Sequence, residues 1–471
     1  MQYSPPFQFL CETRRLVRES QSWYDYCVQS LTELNSNIVK DQLLSDKAVI
    51  KGRPSHFTGA YEDYSLVDIV WVVEQFQVSG IIHVAPFPGR GNINLHTYEV
   101  DAGGSEYLLQ KVNTDVFAMP YRVMQGMASS IKAQNESLVL NPVEGWVPID
   151  LVPTKAGKAF LDLTDDHGWS VWRLMVRIPD SCSYKSLSEI ESRQEQLRMA
   201  SEVGRGLAIY SDLTSCIKPH TVEGSLPGYR DTGLYYRQFH SVTAGNRSLG
   251  DAAALLPDDP ILRTSMGPHF LVASSEEQYQ ERMNDPDLAP YIALVREQEP
   301  FAMALWTAVA QGRIRNTLIH GDTKIENFLF DTNTGLVKAL VDLDTIMPFT
   351  WLADWGDMIR SLVNVAGEKE TDLGKVSVDE DVYKAVAEGF LKAATEITDQ
   401  EVSMMVPAVQ AIALELGLRF LTDYLKGDTY FKLAPGDPED LNRTRAMVQL
   451  TLYRRLIEFG PEAEGFISSL R

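Results

Sequence analysis

The amino-acid sequence predicts an α+β fold with two lobes, a small antiparallel β N-lobe followed by a large and mainly helical C-lobe. The first indication is a run of short apolar segments separated by glycine turns between residues 81 and 178, which is typical of an antiparallel sheet. The second is a change to helical periodicity after residue 188. A sheet and a set of helices must each bury an apolar face, so this order favours two packed units with a cleft between them.

The individual elements follow from the spacing of apolar residues and turn residues. In the N-lobe we expect strands at 81–85, 96–100 and 106–112, then two more within 145–178, the last of them at 169–178. Glycine turns lie at Gly89-Arg90-Gly91-Asn92-Ile93-Asn94 and at Gly103-Gly104. In the C-lobe we expect helices at about 291–311, 352–366, 380–396, 400–426 and 438–459.

An N-terminal extension, 1–66, precedes the N-lobe, and we expect it to be mostly helical. Seven-residue intervals, which suit one buried helical face, separate Leu10, Val17, Tyr24 and Leu31. The N-lobe then covers 67–180 and the C-lobe covers 181–471. An insertion rich in Asp, Pro, Gly and Ser is expected within the C-lobe, near 245–290.

The composition is that of an ordinary globular chain, with 44% hydrophobic and 23% charged residues among 471. The formal net charge of −21 argues against a nucleic acid or an anionic membrane as the main partner, because both attract clustered Lys and Arg. The start has no basic region followed by an apolar one, and the four cysteines form no CxxC pair. We therefore expect a cytoplasmic protein with reduced thiols, a monomer with a dimer as the alternative.

The strongest chemical signal is the segment LIHGDTKIENFLF at 318–330, followed by VDLD at 341–344. Asp322 lies on a polar loop between short apolar strands, Asn327 follows five residues later, and Asp342 ends the next apolar run. Phosphoryl transfer needs an aimed acceptor oxygen and metal ions that neutralise the phosphates. A carboxylate can take the proton of the acceptor, while an amide oxygen and a second carboxylate are hard ligands of the kind Mg²⁺ prefers. The spacing therefore indicates a phosphoryl-transfer centre.

This segment resembles the aminoglycoside phosphotransferase and choline kinase superfamily, which is similar to protein kinases in fold. The longer match is to N-acetylhexosamine 1-kinases and extends over roughly 68–460. It is carried by LQKVNTDVF at 109–117, VDLDTIMP at 341–348, WGDMIR at 355–360, LGLRFLTDYL at 416–425 and GDTYFK at 427–432. The resemblance implies a protein-kinase-like two-lobed fold that uses ATP and Mg²⁺.

The resemblance also implies roles for the acidic and amide residues of the phosphoryl-transfer centre. Asp322 would be the catalytic base, and Asn327 and Asp342 would be Mg²⁺ ligands. Asp344 would be either a second metal or water ligand, or a solvated or capping residue.

For the nucleotide, the resemblance implies a turn that covers the phosphates, formed by Gly89, Gly91 and Asn92. Glycine permits close approach of the backbone to phosphate oxygens. The resembling kinases usually carry histidine where this chain has Asn92. A phosphate-binding residue is expected on the strand at 106–112, where Gln110 and Lys111 are the alternatives, and the charge of Lys111 favours it. The segment at 172–179 matches the approach to the adenine-binding hinge.

Further roles concern the loop supports and the acceptor. Asp354 would brace the catalytic loop through backbone hydrogen bonds, and His320 would orient that loop. In the resembling family the arginine at the position of Arg419 faces the sugar, although an ion pair with Asp423 at i+4 is an alternative. Arg360 is a second, weaker substrate-side prediction.

Together these observations predict an ATP-dependent kinase of a small molecule. The acceptor predicted first is the anomeric hydroxyl of a hexose or N-acetylhexosamine, which would give a sugar 1-phosphate. One alternative is a kinase of another small alcohol, such as an amino sugar, a choline-like compound or an aminoglycoside. The other is an inactive nucleotide-binding or interaction module.

Overall fold

The computed structural model describes residues 64–88, 93–165, 168–434 and 436–471. The predicted N-terminal extension therefore lies outside the described residues, except for its last three positions. Gly89, Gly91 and Asn92 of the predicted phosphate turn also lie outside them.

The N-lobe is an antiparallel sheet preceded by helix α1 (Leu66–Val73), which begins at a Ser65–Asp68 capping box. The strands are β1 (Ile81–Pro86), β2 (Thr97–Ala102), β3 (Ser105–Lys111), β4 (Asp150–Leu151), β5 (Leu161–Asp165) and β6 (Gly168–Val176). The strand order is β1-β2-β3-β6-β4, and β5 also pairs with β6. The predicted fold class, with its small antiparallel sheet, is confirmed.

A long helix, α2 (Pro120–Leu140), follows β3, and the sequence analysis does not predict it. Pro120 occupies the first turn, where its missing N–H costs nothing. The helix buries Val123, Met127 and Ile131 at four-residue intervals, and these side chains belong to the hydrophobic core of the C-lobe. Helix α2 therefore links the sheet to the C-lobe beside the cleft.

The C-lobe consists mainly of helices. They are α3 (Arg193–Thr214), α4 (Thr232–Thr243), α5 (Pro260–Met266), α6 (Glu276–Met283), α7 (Ala289–Glu297), α8 (Glu299–Ala302), α9 (Ala304–Ala310), α10 (Trp351–Val363), α11 (Glu380–Ala393), α12 (Asp399–Ser403), α13 (Met405–Lys426) and α14 (Leu441–Ser469). The helix expected at 291–311 is thus broken into three, and the last helix continues past Pro461 to residue 469. The insertion near 245–290 contains α5 and α6.

Short strands between the helices carry the chemical segment. β7 (Ser181–Cys182), β9 (Phe328–Asp331) and β10 (Val337–Leu340) form one sheet, and β8 (Thr317–Ile319) pairs with β11 (Met347–Phe349). The pairing of β7 with β9 begins five residues after β6 ends, so the chain passes from the N-lobe sheet to the catalytic segment through 177–180.

Two separate hydrophobic cores support the division into lobes. One lies between α1 and the N-lobe sheet, and the larger one lies among the C-lobe helices. Among the described residues, α13 alone is long and apolar enough to cross a bilayer, with a mean hydropathy of 1.3. However, 83% of its most apolar window is buried inside the protein, as expected for the central helix of a core.

Candidate active site

The catalytic loop between β8 and β9 is fixed by hydrogen bonds to Asp354, which lies in the first turn of α10. The backbone N–H groups of His320 and Gly321 donate to its two carboxylate oxygens at 2.7 and 2.8 Å. The hydroxyl of Thr323 donates to the Asp354 carbonyl at 2.6 Å. The structure therefore shows the brace that the sequence predicts for Asp354.

His320 connects this loop to the strand that leads to Asp342. Its ring is buried, with Nδ1 3.3 Å from the N–H of Asp322 and Nε2 2.8 Å from the carbonyl oxygen of Val341. If the Asp322 N–H donates to Nδ1, the ring proton resides on Nε2 and donates to Val341. His320 thus orients the loop, as predicted, without facing the cleft as a reactive group.

Gly321 is required by the geometry of the loop. Its φ is +88°, and a Cβ at this position would lie 2.6 Å from the carbonyl oxygen of Thr345. Only glycine adopts this conformation without strain. The Thr345 hydroxyl donates to the His320 carbonyl at 2.7 Å, so the loop and the segment after Asp342 are joined directly.

The predicted base, Asp322, projects from this loop with 30% of its side chain exposed. The Nδ2 of Asn327 donates to its backbone carbonyl at 2.8 Å, and Lys324 Nζ lies 3.2 Å from its Oδ2. Burial opposes the charge of Lys324, but the carboxylates of Asp322 and Glu326 outweigh it and raise the pKa of the ammonium. Sequence reasoning missed Lys324, although it stands two residues after the predicted base.

Asp342 faces the same region from the end of β10. It has a left-handed backbone (φ +65°) and is accessible to water, yet many protein atoms surround it. Partial loss of solvation raises its pKa to about 7, and the carboxylates of Asp344 and Asp322 add to the rise. The structure therefore brings Asp322, Asn327 and Asp342 into one region, and the roles of base and metal ligands stay predictions.

The donors at this point suit a magnesium ion. Because the Nδ2 of Asn327 is used by the loop, its Oδ1 is the atom available to a metal, beside the Asp342 carboxylate. Among the described residues, no group of three or more His, Cys, Asp or Glu side chains is arranged to hold a metal on its own. A site of one carboxylate and one amide needs phosphate oxygens and water to complete it, which is typical of Mg²⁺ bound with a nucleotide.

Asp344 has a different environment from the one predicted. It is buried, its Oδ1 lies 2.5 Å from Arg173 Nη1, and its Oδ2 accepts from Asn94 Nδ2 at 2.7 Å. The residue is therefore buried and paired, and not solvated, while its predicted role as a second metal or water ligand stays a prediction. It links β6 and the turn before β2 to the catalytic segment, and Arg173 and Asn94 are site residues that sequence reasoning missed.

Lys111 is on the face of the sheet opposite to Asp344. In the register of β3 and β6, Gln110 is opposite Arg173 and Lys111 is opposite Trp172. The Oε1 of Gln110 accepts from Arg173 Nε at 3.0 Å, whereas Lys111 is buried with its Nζ 3.3 Å from the Tyr64 hydroxyl. Alternation along the strand explains the difference. The structure thus places Arg173, and not Lys111, as the cation on the cleft side.

Arg360 lies inside a chain of six alternating charges, which we call the ion-pair chain: Glu415, Arg230, Asp357, Arg360, Glu368 and Arg445. The first three are buried and the last three are partly buried. Arg360 Nη2 lies 2.6 Å from Asp357, and its Nη1 lies 3.1 Å from Glu368. Burial would raise the pKa of Asp357, but the guanidinium groups of Arg360 and Arg230 outweigh it and hold the pKa at about 2. The structure therefore gives Arg360 carboxylate partners within the fold and does not place it in an acceptor pocket.

Arg419 is surrounded by aromatic rings instead of carboxylates. Its guanidinium carbon lies 4.8 to 5.5 Å from the ring centres of Tyr229, Tyr235, Tyr430 and Phe431. Asp423, the alternative ion-pair partner, accepts instead from the N–H groups of Tyr430 and Phe431, each at 2.8 Å, and lies 3.2 Å from Lys426. In the described part of the chain, no carboxylate lies within ion-pair distance of Arg419.

A small pocket that is open to solvent lies beside Arg419, with an enclosed volume of about 20 Å³. The insertion supplies part of its wall, because His269 lines the pocket and its Nδ1 accepts a hydrogen bond from Lys426 Nζ at 2.9 Å. Burial and the nearby ammonium of Lys426 lower the pKa of His269 to about 4, so its ring is neutral near pH 7. The pocket thus combines aromatic surface with a few polar groups, as small-molecule sites commonly do.

A family model and several solved structures are similar to this chain. Residues 86–376, more than half of the chain, match the model of the phosphotransferase enzyme family. A microcompartment-associated aminopropanol kinase of known structure is 12% identical, with 85% of this chain and 99% of that chain covered and a TM-score of 0.48.

Two further structures are similar at the same level. An aminoglycoside phosphotransferase from Alicyclobacillus acidocaldarius is 14% identical, with 89% of this chain and 98% of that chain covered and a TM-score of 0.45. A choline kinase from Streptococcus pneumoniae is 11% identical, with 84% and 100% covered and a TM-score of 0.37.

Proposed function

Because the chain belongs to the phosphotransferase enzyme family, whose members are ATP- and metal-dependent small-molecule kinases, we propose that it phosphorylates a sugar hydroxyl. The acceptor proposed is the anomeric hydroxyl of a hexose or N-acetylhexosamine, and the product is a sugar 1-phosphate. The observation that carries this proposal is Arg419, a cation without a carboxylate partner in the described residues, in an aromatic pocket close to the catalytic loop.

The chemistry of the pocket suits a neutral, oxygen-rich ring. Aromatic faces pack against the apolar C–H faces of such a ring, and a guanidinium donates to hydroxyl or carbonyl oxygens. A cationic acceptor such as choline would bring its charge toward Arg419 and Lys426. Asp423, the acidic side chain that lines the pocket, already accepts from Lys426 and two backbone N–H groups. The pocket therefore favours the sugar over the cationic alcohol.

We assign the proton transfer to Asp322. Its partly exposed carboxylate would accept the proton of the acceptor hydroxyl as the new O–P bond forms. Lys324, 3.2 Å from that carboxylate, would stabilise the negative charge of the phosphoryl group in transfer. The glycine turn with Gly89, Gly91 and Asn92 remains our proposal for covering the phosphates.

Asn327 and Asp342 are the residues that would hold Mg²⁺, for the reasons of donor chemistry given above. When bound, the ion neutralises charge on the phosphate oxygens. The contacts of Asp344 with Arg173 and Asn94 connect the N-lobe sheet to the catalytic segment. This connection fixes the position of Asn327 and Asp342 relative to the N-lobe. A second-ligand role for Asp344 would require it to leave Arg173.

A substrate panel tests the proposal. Purified protein with ATP and Mg²⁺ is assayed for ADP release with free hexoses, N-acetylhexosamines, amino sugars, choline and aminoglycosides, and phosphorus NMR then locates the phosphate in the product. We expect turnover with a neutral sugar and phosphate on its anomeric oxygen. Preference for a choline-like or aminoglycoside acceptor would replace the sugar proposal with the alternative, and ATP binding without turnover would indicate an inactive module.

The base assignment is tested with Asp322→Asn, which keeps the shape of the side chain and removes its basicity. We expect kcat to fall by about 10² to 10⁴ while ATP affinity is retained, because general-base catalysis contributes about that factor. Asp331→Asn is the matched control, since Asp331 is the last residue of β9 and its carboxylate pairs with Lys338 at 3.0 Å. Full activity in Asp322→Asn would rule out this base.

A further inference from the structure

Two adjacent side chains hold the same carbonyl group of the catalytic loop. The hydroxyl of Tyr229 donates to the carbonyl oxygen of Gly321 at 2.8 Å, and Arg230 Nη2 donates to the same oxygen at 3.1 Å. Gly321 directly precedes Asp322, and its own N–H is held by Asp354 at 2.8 Å. Gly321, the residue before the base, is therefore held by hydrogen bonds at both its N–H and its carbonyl group.

An uncommon backbone conformation makes this double contact feasible. Neighbouring residues in a regular strand point to opposite faces, so they do not normally reach one atom. Arg230 adopts a left-handed φ of +59°, which is strained for a residue with a Cβ. Such strain persists only where the surroundings over-determine it, and here Arg230 is fixed by Asp357 of α10 at 3.0 Å and Glu415 of α13 at 3.4 Å.

The ring of Tyr229 lies against Arg419, which lines the acceptor pocket. Its ring centre lies 5.4 Å from the guanidinium of Arg419, so this ring is one of the four that surround the cation. Burial raises the pKa of Tyr229 to about 12, which keeps its hydroxyl protonated as a donor to Gly321. One side chain therefore contacts both the wall of the pocket and the loop that carries the base.

We propose that Tyr229 is a positioning residue that couples the acceptor pocket to the catalytic loop. Its ring helps to place the acceptor beside Arg419, and its hydroxyl fixes the Gly321 carbonyl so that Asp322 meets the acceptor hydroxyl. Arg230 anchors Tyr229 through the ion-pair chain. The proposal rests on the proposed function only in requiring a hydroxyl acceptor in the Arg419 pocket.

The test distinguishes the contribution of the Tyr229 hydroxyl from that of its ring. Tyr229→Phe removes only the hydroxyl, so we expect kcat to fall about tenfold while the KM for the acceptor stays within about twofold. Tyr229→Leu removes the ring as well, so the KM for the acceptor should rise in addition. The acceptor used is the best one from the substrate panel, of whatever class.

Tyr279→Phe is the matched control. The Tyr279 hydroxyl also donates to a backbone carbonyl at 2.8 Å, that of Val242, but in the insertion and away from the catalytic loop. Both variants should lose similar thermal stability, and Tyr279→Phe should keep the wild-type kcat. A wild-type kcat in Tyr229→Phe, or an equal fall in Tyr279→Phe, would overturn the proposal.

Failure of the sugar assignment is distinguishable from failure of this coupling. If the wild-type protein turns over no sugar but another alcohol, the same variants are measured with that alcohol. If it turns over no alcohol, hydrolysis of ATP by water is measured instead, because water activation would depend on the same Asp322. Equal hydrolysis rates for wild type and Tyr229→Phe would then overturn the proposal.

Discussion

Arg360 and Arg419 lie on two neighbouring helices of the C-lobe, and the sequence suggests a substrate-side role for both. The structure gives them opposite surroundings. Arg360, on α10, lies between the carboxylates of Asp357 and Glu368 at 2.6 and 3.1 Å. Arg419, on α13, lies among four aromatic rings and has its closest polar contact with the Tyr430 hydroxyl at 3.3 Å.

The difference shows what makes a cation available to a ligand. A guanidinium whose charge is balanced within the fold would have to break those ion pairs before it could bind a substrate, and breaking a buried pair is costly. A guanidinium held by rings keeps donors that a ligand oxygen can satisfy. The charges of the ion-pair chain are therefore balanced within the fold and stabilise the catalytic loop, whereas Arg419 keeps donors that face the pocket.

The largest effect predicted from this comparison is on stability. Arg360→Met would leave Asp357 with Arg230 alone and Glu368 with Arg445 alone. We therefore expect the free energy of unfolding to fall by about 3 kcal/mol in a urea titration, the lower end of what removing one partner of a buried pair costs. Arg177→Met is the control, because Arg177 pairs with Glu106 at 2.9 Å on the exposed surface, where a pair contributes at most about 1 kcal/mol. A small loss of stability together with a raised KM for the acceptor would instead indicate that Arg360 binds the acceptor, as the sequence suggests.

Sequence reasoning found the catalytic segment because its parts are local. Asp322 and Asn327 are five residues apart, and the turn between β9 and β10 then brings Asp342 back beside them. Residue type and short spacing were sufficient to predict this group. The role of Asp354, at the start of the helix that follows, came from the family resemblance.

It did not find the partners that come from distant parts of the chain. Asp344 meets Arg173 across 171 positions, and Gly321 meets Arg230 across 91. Spacing carries no information about such pairs, so Asp344 was expected to be solvated or metal-bound. For Lys111 the sequence contains a local signal. Side chains alternate along β3, so Gln110 and Lys111 point to opposite faces and only one of them can face the cleft. Only the fold shows which face of the sheet lines the cleft.

Helices were missed or mis-bounded for related reasons. Helix α2 has apolar residues at four-residue intervals, yet its many Ser, Asn and Gln residues weaken the pattern, and packing against the C-lobe core stabilises it. The helix predicted to end at about residue 459 continues as α14 through Gly460 and Pro461 to Ser469. Tertiary packing outweighs local propensity in both places.

The next effect concerns acceptor binding. Arg419→Met removes the donors and leaves no carboxylate exposed, so we expect kcat/KM for the acceptor to fall about 10- to 100-fold, the equivalent of one or two hydrogen bonds from a charged group. The KM for ATP should not change, and stability should fall less than in Arg360→Met. Arg419→Lys keeps the charge without the planar fork and should restore part of the loss. Severe unfolding with an unchanged KM would make Arg419 a structural residue like Arg360.

The smallest effect tests the neutral wall of the pocket through pH. His269 has a pKa of about 4 in the folded protein, lowered by burial and by Lys426, with Asp423 opposing and Arg419 adding to the shift. In the unfolded chain its pKa is about 6.5. Below that pH the unfolded state takes up a proton that the folded state does not, so stability falls as pH decreases toward 4.

His269→Gln isolates this contribution, because glutamine can still accept a hydrogen bond from Lys426 but does not titrate. Between pH 6.5 and 5.5 we expect the wild-type protein to lose about 1 kcal/mol more than the variant in urea unfolding, close to the limit of about 1.4 kcal/mol for one pH unit. Equal losses would mean that His269 is protonated beside Lys426. A protonated His269 would add positive charge to the pocket, which would then repel cationic acceptors more strongly as pH falls. The difference in charge balance between the pocket and the ion-pair chain would then be larger.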